Sequence, residues 1–141
     1  MTTEQIFESN EMIAEFIGMK KSKYNQWCFK EQYVCIEGED YADYWHIELK
    51  FNLKWDKWLM PVIEKVESIY DDFHGYFGVY IHSNCCTIQG SKLNTSVENY
   101  HPAYFLESYG DTKIEAVYLA VIQFIKFWND QKRKDSQREK S

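Results

Sequence analysis

One stretch narrows the architecture before any other. Gly75-Tyr76-Phe77-Gly78-Val79-Tyr80-Ile81-His82 alternates with the two-residue period of a strand, Ser83-Asn84 follows as a turn, and Cys85-Cys86-Thr87-Ile88-Gln89 returns. A two-residue connection joins only antiparallel neighbours, because a parallel pair needs a crossover of a dozen residues or more. The chain therefore contains a β-hairpin, and helical segments on either side can cover it. From Asp56 onward Trp58, Leu59, Val62, Ile63, Val66, Ile69 and Tyr70 recur at intervals of three and four, as on one side of a helix. Pro61 falls where a proline disturbs the first turns, so the pattern leaves the start of this helix open. Further on, Thr112-Lys113-Ile114-Glu115 has the capping-box spacing. Ile114, Val117, Tyr118, Val121, Ile125 and Trp128 then draw one apolar stripe down the best helix of the sequence.

The N-terminal part reads similarly. Thr2 and Gln5 are spaced as a capping box, and Ile6, Met12, Ile13, Phe16 and Ile17 lead to a glycine stop at Gly18. The spacing between Phe7 and Met12 is poor, and Ser9-Asn10 offers a second start. After Met19-Lys20-Lys21-Ser22-Lys23 come two short strand-like runs, Gln26 to Phe29 and Gln32 to Ile36. Tyr44 to Phe51 then alternates, with Trp45, Ile47, Leu49 and Phe51 on one face. Gly90 to Pro102 reads as a polar loop of about a dozen residues, a length often tied to function, and Tyr104 to Ser108 as a last strand. Strands grouped between helices, without strict strand–helix alternation, predict an α+β fold: an antiparallel sheet of about 4–6 strands packed by about three helices. Residues 1–128 read as a single domain and 129–141 as a charged, flexible tail.

Charge and cysteine exclude several functions. The 141 residues carry 16 Lys+Arg against 22 Asp+Glu, a net charge of −6, which is the wrong sign for a surface that grips duplex nucleic acid. The stretch from Asn129 to Ser141 is net +2, leaving −8 on residues 1–128. No run approaches the roughly 20 apolar residues of a membrane-spanning helix, and MTTEQIFESNEMIAEFIG carries acids where a secretion signal would begin with bases. A cytoplasmic protein with no membrane partner is expected. Its cysteines, Cys28, Cys35, Cys85 and Cys86, match neither C-x-x-C nor a zinc spacing and are expected as free thiols. Cys85 and Cys86 are adjacent in a strand and so point to opposite faces.

No catalytic motif stands out, and the expectation is a protein that is not an enzyme and holds no cofactor or metal. A nucleophilic site needs an imidazole beside Ser or Cys with a carboxylate behind it. His46, His74, His82 and His101 are the imidazoles, of which His82 flanks the hairpin turn opposite Cys85. Ordinary turn residues explain that pair as well as chemistry does. Asp71-Asp72 and Glu37-Glu39-Asp40 lie at element ends, where acids stay solvated. The 11 Tyr, 9 Phe and 5 Trp are the unusual feature, more than core packing requires. The surplus points to a ligand pocket or an oligomer interface, since aromatic faces stack on bases and on cations. Lys92, Lys113 and the cluster Lys20-Lys21-Lys23 would supply charge for a phosphate, with helical N–H donors at the start of the last helix.

The phrases Asn10-Glu11-Met12-Ile13-Ala14-Glu15-Phe16-Ile17-Gly18, Trp58-Leu59-Met60-Pro61-Val62-Ile63-Glu64-Lys65-Val66-Glu67, Lys113 to Tyr118 and Phe124 to Asn129 resemble the small phage and prophage proteins of the phage ABA-sandwich domain. That resemblance implies helices on both faces of a sheet, an α/β/α sandwich, a viral origin and no catalytic residues. Small phage proteins of this kind include anti-defence sponges, such as the Thoeris anti-defence family, which sequester cyclic-ADP-ribose-type or cyclic oligonucleotide signals uncleaved. The functional expectation is such a sponge in the host cytosol, working as a homo-oligomer. Its expected ligand contacts are Lys92, Asn94, Tyr100, His101, Tyr104 and Lys113. The alternative is a protein-interaction module that binds a host protein through an acidic face carrying Glu37, Glu39, Asp40 and Asp43.

Overall fold

A computed structural model describes residues 1–21, 27–29, 49–94 and 101–139. Helix α1 (Thr3–Phe16) starts at the first of the two candidate caps. Thr2 Oγ1 accepts from the Gln5 amide at 3.1 Å, and Gln5 Oε1 accepts from the Thr2 amide at 2.8 Å, which satisfies two otherwise orphaned donors. Ser9 and Asn10 are buried within the helix instead of starting a new one. Asn10 donates through Nδ2 to the Leu49 carbonyl and to Asn52 Oδ1, and its Oδ1 accepts from the Tyr118 hydroxyl at 2.9 Å. A buried amide with its bonds made fastens α1 to two distant parts of the chain. Gly18 ends the helix at φ +90°, a left-handed conformation that suits glycine.

Strands β1 (Met19–Lys21) and β2 (Trp27–Phe29) pair antiparallel. The second run, at Gln32 to Ile36, and residues 44–48 of the next expected strand lie outside the described residues. Where that strand should finish, the chain is not extended: the Lys50 carbonyl accepts from the amides of Leu53 and Lys54, and Phe51 is buried in the turn. The Phe51 ring meets Trp58 edge-on at 5.0 Å. Pro61 explains the next departure. It cannot donate the bond that an α-helix begun at Asp56 would require of it. The chain forms a π-helical turn, Trp55–Leu59, closed from the Met60 amide to the Trp55 carbonyl, before α2 (Met60–Ser68) begins with Pro61 in its first turn.

The main sheet has four antiparallel strands in the order β3 (Tyr70–Asp71), β4 (Gly75–His82), β5 (Cys85–Gly90) and β8 (Phe105–Tyr109). Tyr70, expected on the helical stripe, belongs to β3. The hairpin forms as its alternation required, with His82 opposite Cys85 and Ser83 at φ +51°. The expected polar loop is partly drawn in. Short strands β6 (Leu93–Asn94) and β7 (His101–Pro102) pair Leu93 with Pro102 and Asn94 with His101. Helix α3 (Lys113–Glu139) starts where Thr112 Oγ1 accepts from the Glu115 amide, and the stretch 129–139, expected as a flexible tail, continues it as helix.

The α+β class stands, but among the described residues the helices do not sandwich the sheet. Phe77, Cys86, Ile88 and Leu106 point to one side and join Val62, Ile63 and Val66 of α2, Ile13 and Ala14 of α1, and Val117, Val121, Phe124 and Ile125 of α3 in a single core. The outward residues alternate strictly with these inward ones along β5 and β8, and along β4 the alternation is interrupted only at Gly78–Val79, both half-buried.

Candidate functional site

The side of the sheet turned away from the helices is aromatic. Tyr70 (50% exposed), Tyr76 (57%), Tyr80 (57%), Phe105 (54%) and Tyr109 (67%) all stand on it. Strand register orders them in rows. Tyr70 lies opposite Tyr76, with their rings edge-on at 5.0 Å. Next comes Gly78–Gln89–Phe105, then Tyr80–Thr87–Glu107, and by the hairpin turn His82–Cys85–Tyr109. Lys92 Nζ sits 5.8 Å from the Tyr70 ring centroid and donates to the Asp72 carbonyl. The face thus carries an ammonium at one end and the Glu107 carboxylate toward the other. Five half-exposed rings on one face form the kind of exposed apolar patch that marks a recognition surface on soluble domains.

This surface differs from the set of residues singled out by sequence. Lys92 is exposed and belongs to it. Asn94 and His101 face each other in the β6–β7 ladder next to Lys92, whose carbonyl accepts from the Ala103 amide at 2.9 Å. Tyr100 lies outside the described residues. Tyr104 turns inward: its ring packs on Phe127 at 4.2 Å and meets Phe77 and Phe124 edge-on, and burial pushes its phenol up to about 12. It is a wall of the core, and the adjacent Phe105 is the ring presented outward. Lys113 opens α3 beside the hairpin turn, where the Asn84 carbonyl accepts from the Gly110 amide. Lys92 is at the opposite end of β5, so the structure does not bring the two lysines together. The start of α3 is capped by Thr112 itself.

The other candidates resolve as packing. His74 is buried, its Nδ1 3.0 Å from Asp71 Oδ1, with Phe73, Phe77, Tyr104 and Phe127 around the ring. Burial raises the Asp71 carboxyl, but bonds from the Phe73 and His74 amides and the His74 ring outweigh it and leave the pKa lowered. Those bonds make Asp71 the fastener of a tight turn. Cys86 faces the core, and burial, together with the neighbouring Cys85, pushes its thiol up to about 12, which makes it inert. Cys85 faces outward opposite His82, and no cluster of three or more metal-ligating side chains forms among the described residues. Glu37, Glu39, Asp40 and Asp43 lie outside the described residues. Comparison with family models, curated proteins and solved structures returns no match for this chain.

Sequence reasoning missed Tyr70, Tyr76, Tyr80, Phe105 and Tyr109. The signal was present in the alternation, since Tyr76 and Tyr80 are out of phase with Phe77, Val79 and Ile81. With a large ring in each phase of β4, aromatic content alone does not say which phase faces the helices.

Proposed function

We propose that the protein is a non-enzymatic binder that captures a small nucleotide on the open aromatic face of its sheet. The observation that carries this reading is the set of five rings half or more exposed on one face. Each ring offers a π surface on which a base can stack, an interaction of about 1–3 kcal/mol per base. Lys92 stands beside Tyr70 to pair with a phosphate. The net charge of −6 disfavours a long polyanion and favours a ligand with few phosphates. In this reading the protein is a phage-encoded anti-defence sponge. It acts as a homo-oligomer in the host cytosol and holds a cyclic-ADP-ribose-type or cyclic oligonucleotide immune signal intact.

A thermal-shift panel of linear and cyclic nucleotides tests the proposal, because a ligand bound to the folded state alone stabilises it by about 2.7 kcal/mol at 100 times Kd. The expected outcome is a large shift with at least one nucleotide, recovered at unchanged mass after heat denaturation. Recovery at altered mass would make the protein an enzyme, and no shift across the panel would sink the nucleotide reading. The same exposed rings favour one second reading, a protein interface, since Tyr and Phe are enriched at such surfaces. Under that reading Tyr80→Asp would abolish a protein complex and leave nucleotides without effect on the melting temperature.

A further inference from the structure

We infer that Gly78 positions the Tyr80 ring as the stacking floor of the open face, and that this floor takes the planar base of a nucleoside monophosphate whose phosphate reaches Lys92. The inference rests on the nucleotide-binding part of that reading and replaces its cyclic, multiply phosphorylated signal by a ligand with one phosphate. A strand side chain ordinarily stands roughly perpendicular to its sheet. Tyr80 instead leans back along β4. A Cβ placed on Gly78 would lie 2.8 Å from Tyr80 Oη, 2.9 Å from Cε2 and 3.0 Å from Cζ. The ring therefore fills the volume that any side chain at 78 would need, while Tyr80 stays 57% exposed. The tip of the ring, from Cε2 to Oη, rests over Gly78, and more than half of the residue stays open to solvent.

A glycine inside a strand weakens it, and its usual reason is a close approach by another group. Here that group is a ring, and across the row it is level with Phe105, with Gln89 between them. Charge sets the direction of the ligand. Tyr76 is one strand repeat from Gly78, about 6.6–6.8 Å. Beside Tyr76 stands Tyr70, with the Lys92 ammonium near its ring. On the other side of the floor, Glu107 shares a row with Tyr80 and opposes a second phosphate there. The Lys92 ammonium seated by the Tyr70 ring, with Glu107 on the other side of the floor, matches a ligand whose phosphate lies at the Lys92 end.

The clashing atoms are all at the far end of a side chain, so Gly78→Ala lifts the ring without breaking the fold. Calorimetric titration with AMP, with inorganic phosphate as the control, is the test. The wild type should bind AMP, and Gly78→Ala should weaken binding about tenfold, with a melting temperature within about 4 °C of wild type. Tyr80→Ala should weaken it similarly, and in that background Gly78→Ala should add nothing, because there is no ring left to displace. By NMR, the Gly78 Hα resonances should be shifted upfield by the ring and return toward ordinary values in Tyr80→Leu. AMP affinity unchanged in Gly78→Ala, or additive losses in the double variant, would overturn the positioning role while leaving nucleotide binding intact. No AMP binding to wild type alongside binding of another nucleotide would overturn the monophosphate assignment. No binding of any nucleotide would remove the reading beneath both.

Discussion

The two sides of the β4–β5–β8 sheet are made from the same strands and both carry aromatic rings, yet those rings have opposite fates. On one side Phe77 is 1% exposed and meets Phe124 at 4.9 Å, His74 and Tyr104 at 5.7 Å each, and Trp128 at 6.1 Å. On the other, Tyr76 and Tyr80, its neighbours in the same strand, face outward. Aromatic character does not decide burial. It is decided by the three helices, whose apolar sides converge on one face of the sheet, so that the rings on the other face are left exposed.

The largest effects should come from the packed side. Phe77→Ala should cost about 3–5 kcal/mol in chemical denaturation, the usual loss for a buried ring that leaves a cavity, whereas Tyr80→Ala should cost under about 1 kcal/mol. Equal losses at both positions would break the comparison between the faces. Next in size is Asn10→Ala. It leaves the Leu49 carbonyl, the Asn52 amide oxygen and the Tyr118 hydroxyl each short of a partner, at about 1–3 kcal/mol, and shows whether the helical layer owes part of its fit to a polar fastener.

Alkaline pH probes the same packed side. Burial raises Tyr104 to about 12, and it raises Tyr118 to about 12 against a smaller lowering by its bond with Ser9. A pKa raised on folding gives a stabilisation complete below the unfolded phenol value near 10 and lost as pH climbs through the folded value. Melting temperature should therefore fall between about pH 10 and 12, and Tyr104→Phe should blunt the fall. Asp71 has the opposite sign. Its folded pKa is lowered, so its contribution is present above the ordinary carboxylate range and disappears as pH falls through that lowered value. Asp71→Asn should flatten the acid limb of a stability profile, by a small amount because the carboxylate is partly exposed. The smallest stability change belongs to Phe105→Ala on the open side, within about 0.5–1 kcal/mol, and under the proposed function the sharp readout there is loss of nucleotide affinity.

How much of this was legible in the residues differs by element, and the differences have causes. The Thr2 and Thr112 caps, the Gly18 stop, the hairpin over 75–89 and the stripe through Val117, Val121 and Ile125 are local patterns, and each is found where its spacing puts it. The π-helical turn before Pro61 was visible only as a disturbance, because a missing donor says that a bond is lost and not how the chain reroutes. Phe51 alternated like a strand residue but ends buried in a turn against Trp58, a contact its neighbours in sequence do not reveal. Of the candidate site, Lys92 was legible as an exposed cation in a polar segment. Tyr104 was read as a ligand contact, and the Phe127 ring on α3 claims it.

Period and caps are properties of a few consecutive residues, which is why the helices, the hairpin and the α+β class follow from the order of amino acids alone. The choice of buried face is different. Tyr76 and Phe77 both have large apolar rings, and a strand offers both of its sides equally until something packs on one of them. Docking of α2 and α3 on the Phe77 side made that choice, and with it came the open aromatic surface, the inward turn of Tyr104 and the space over Gly78 in which Tyr80 lies.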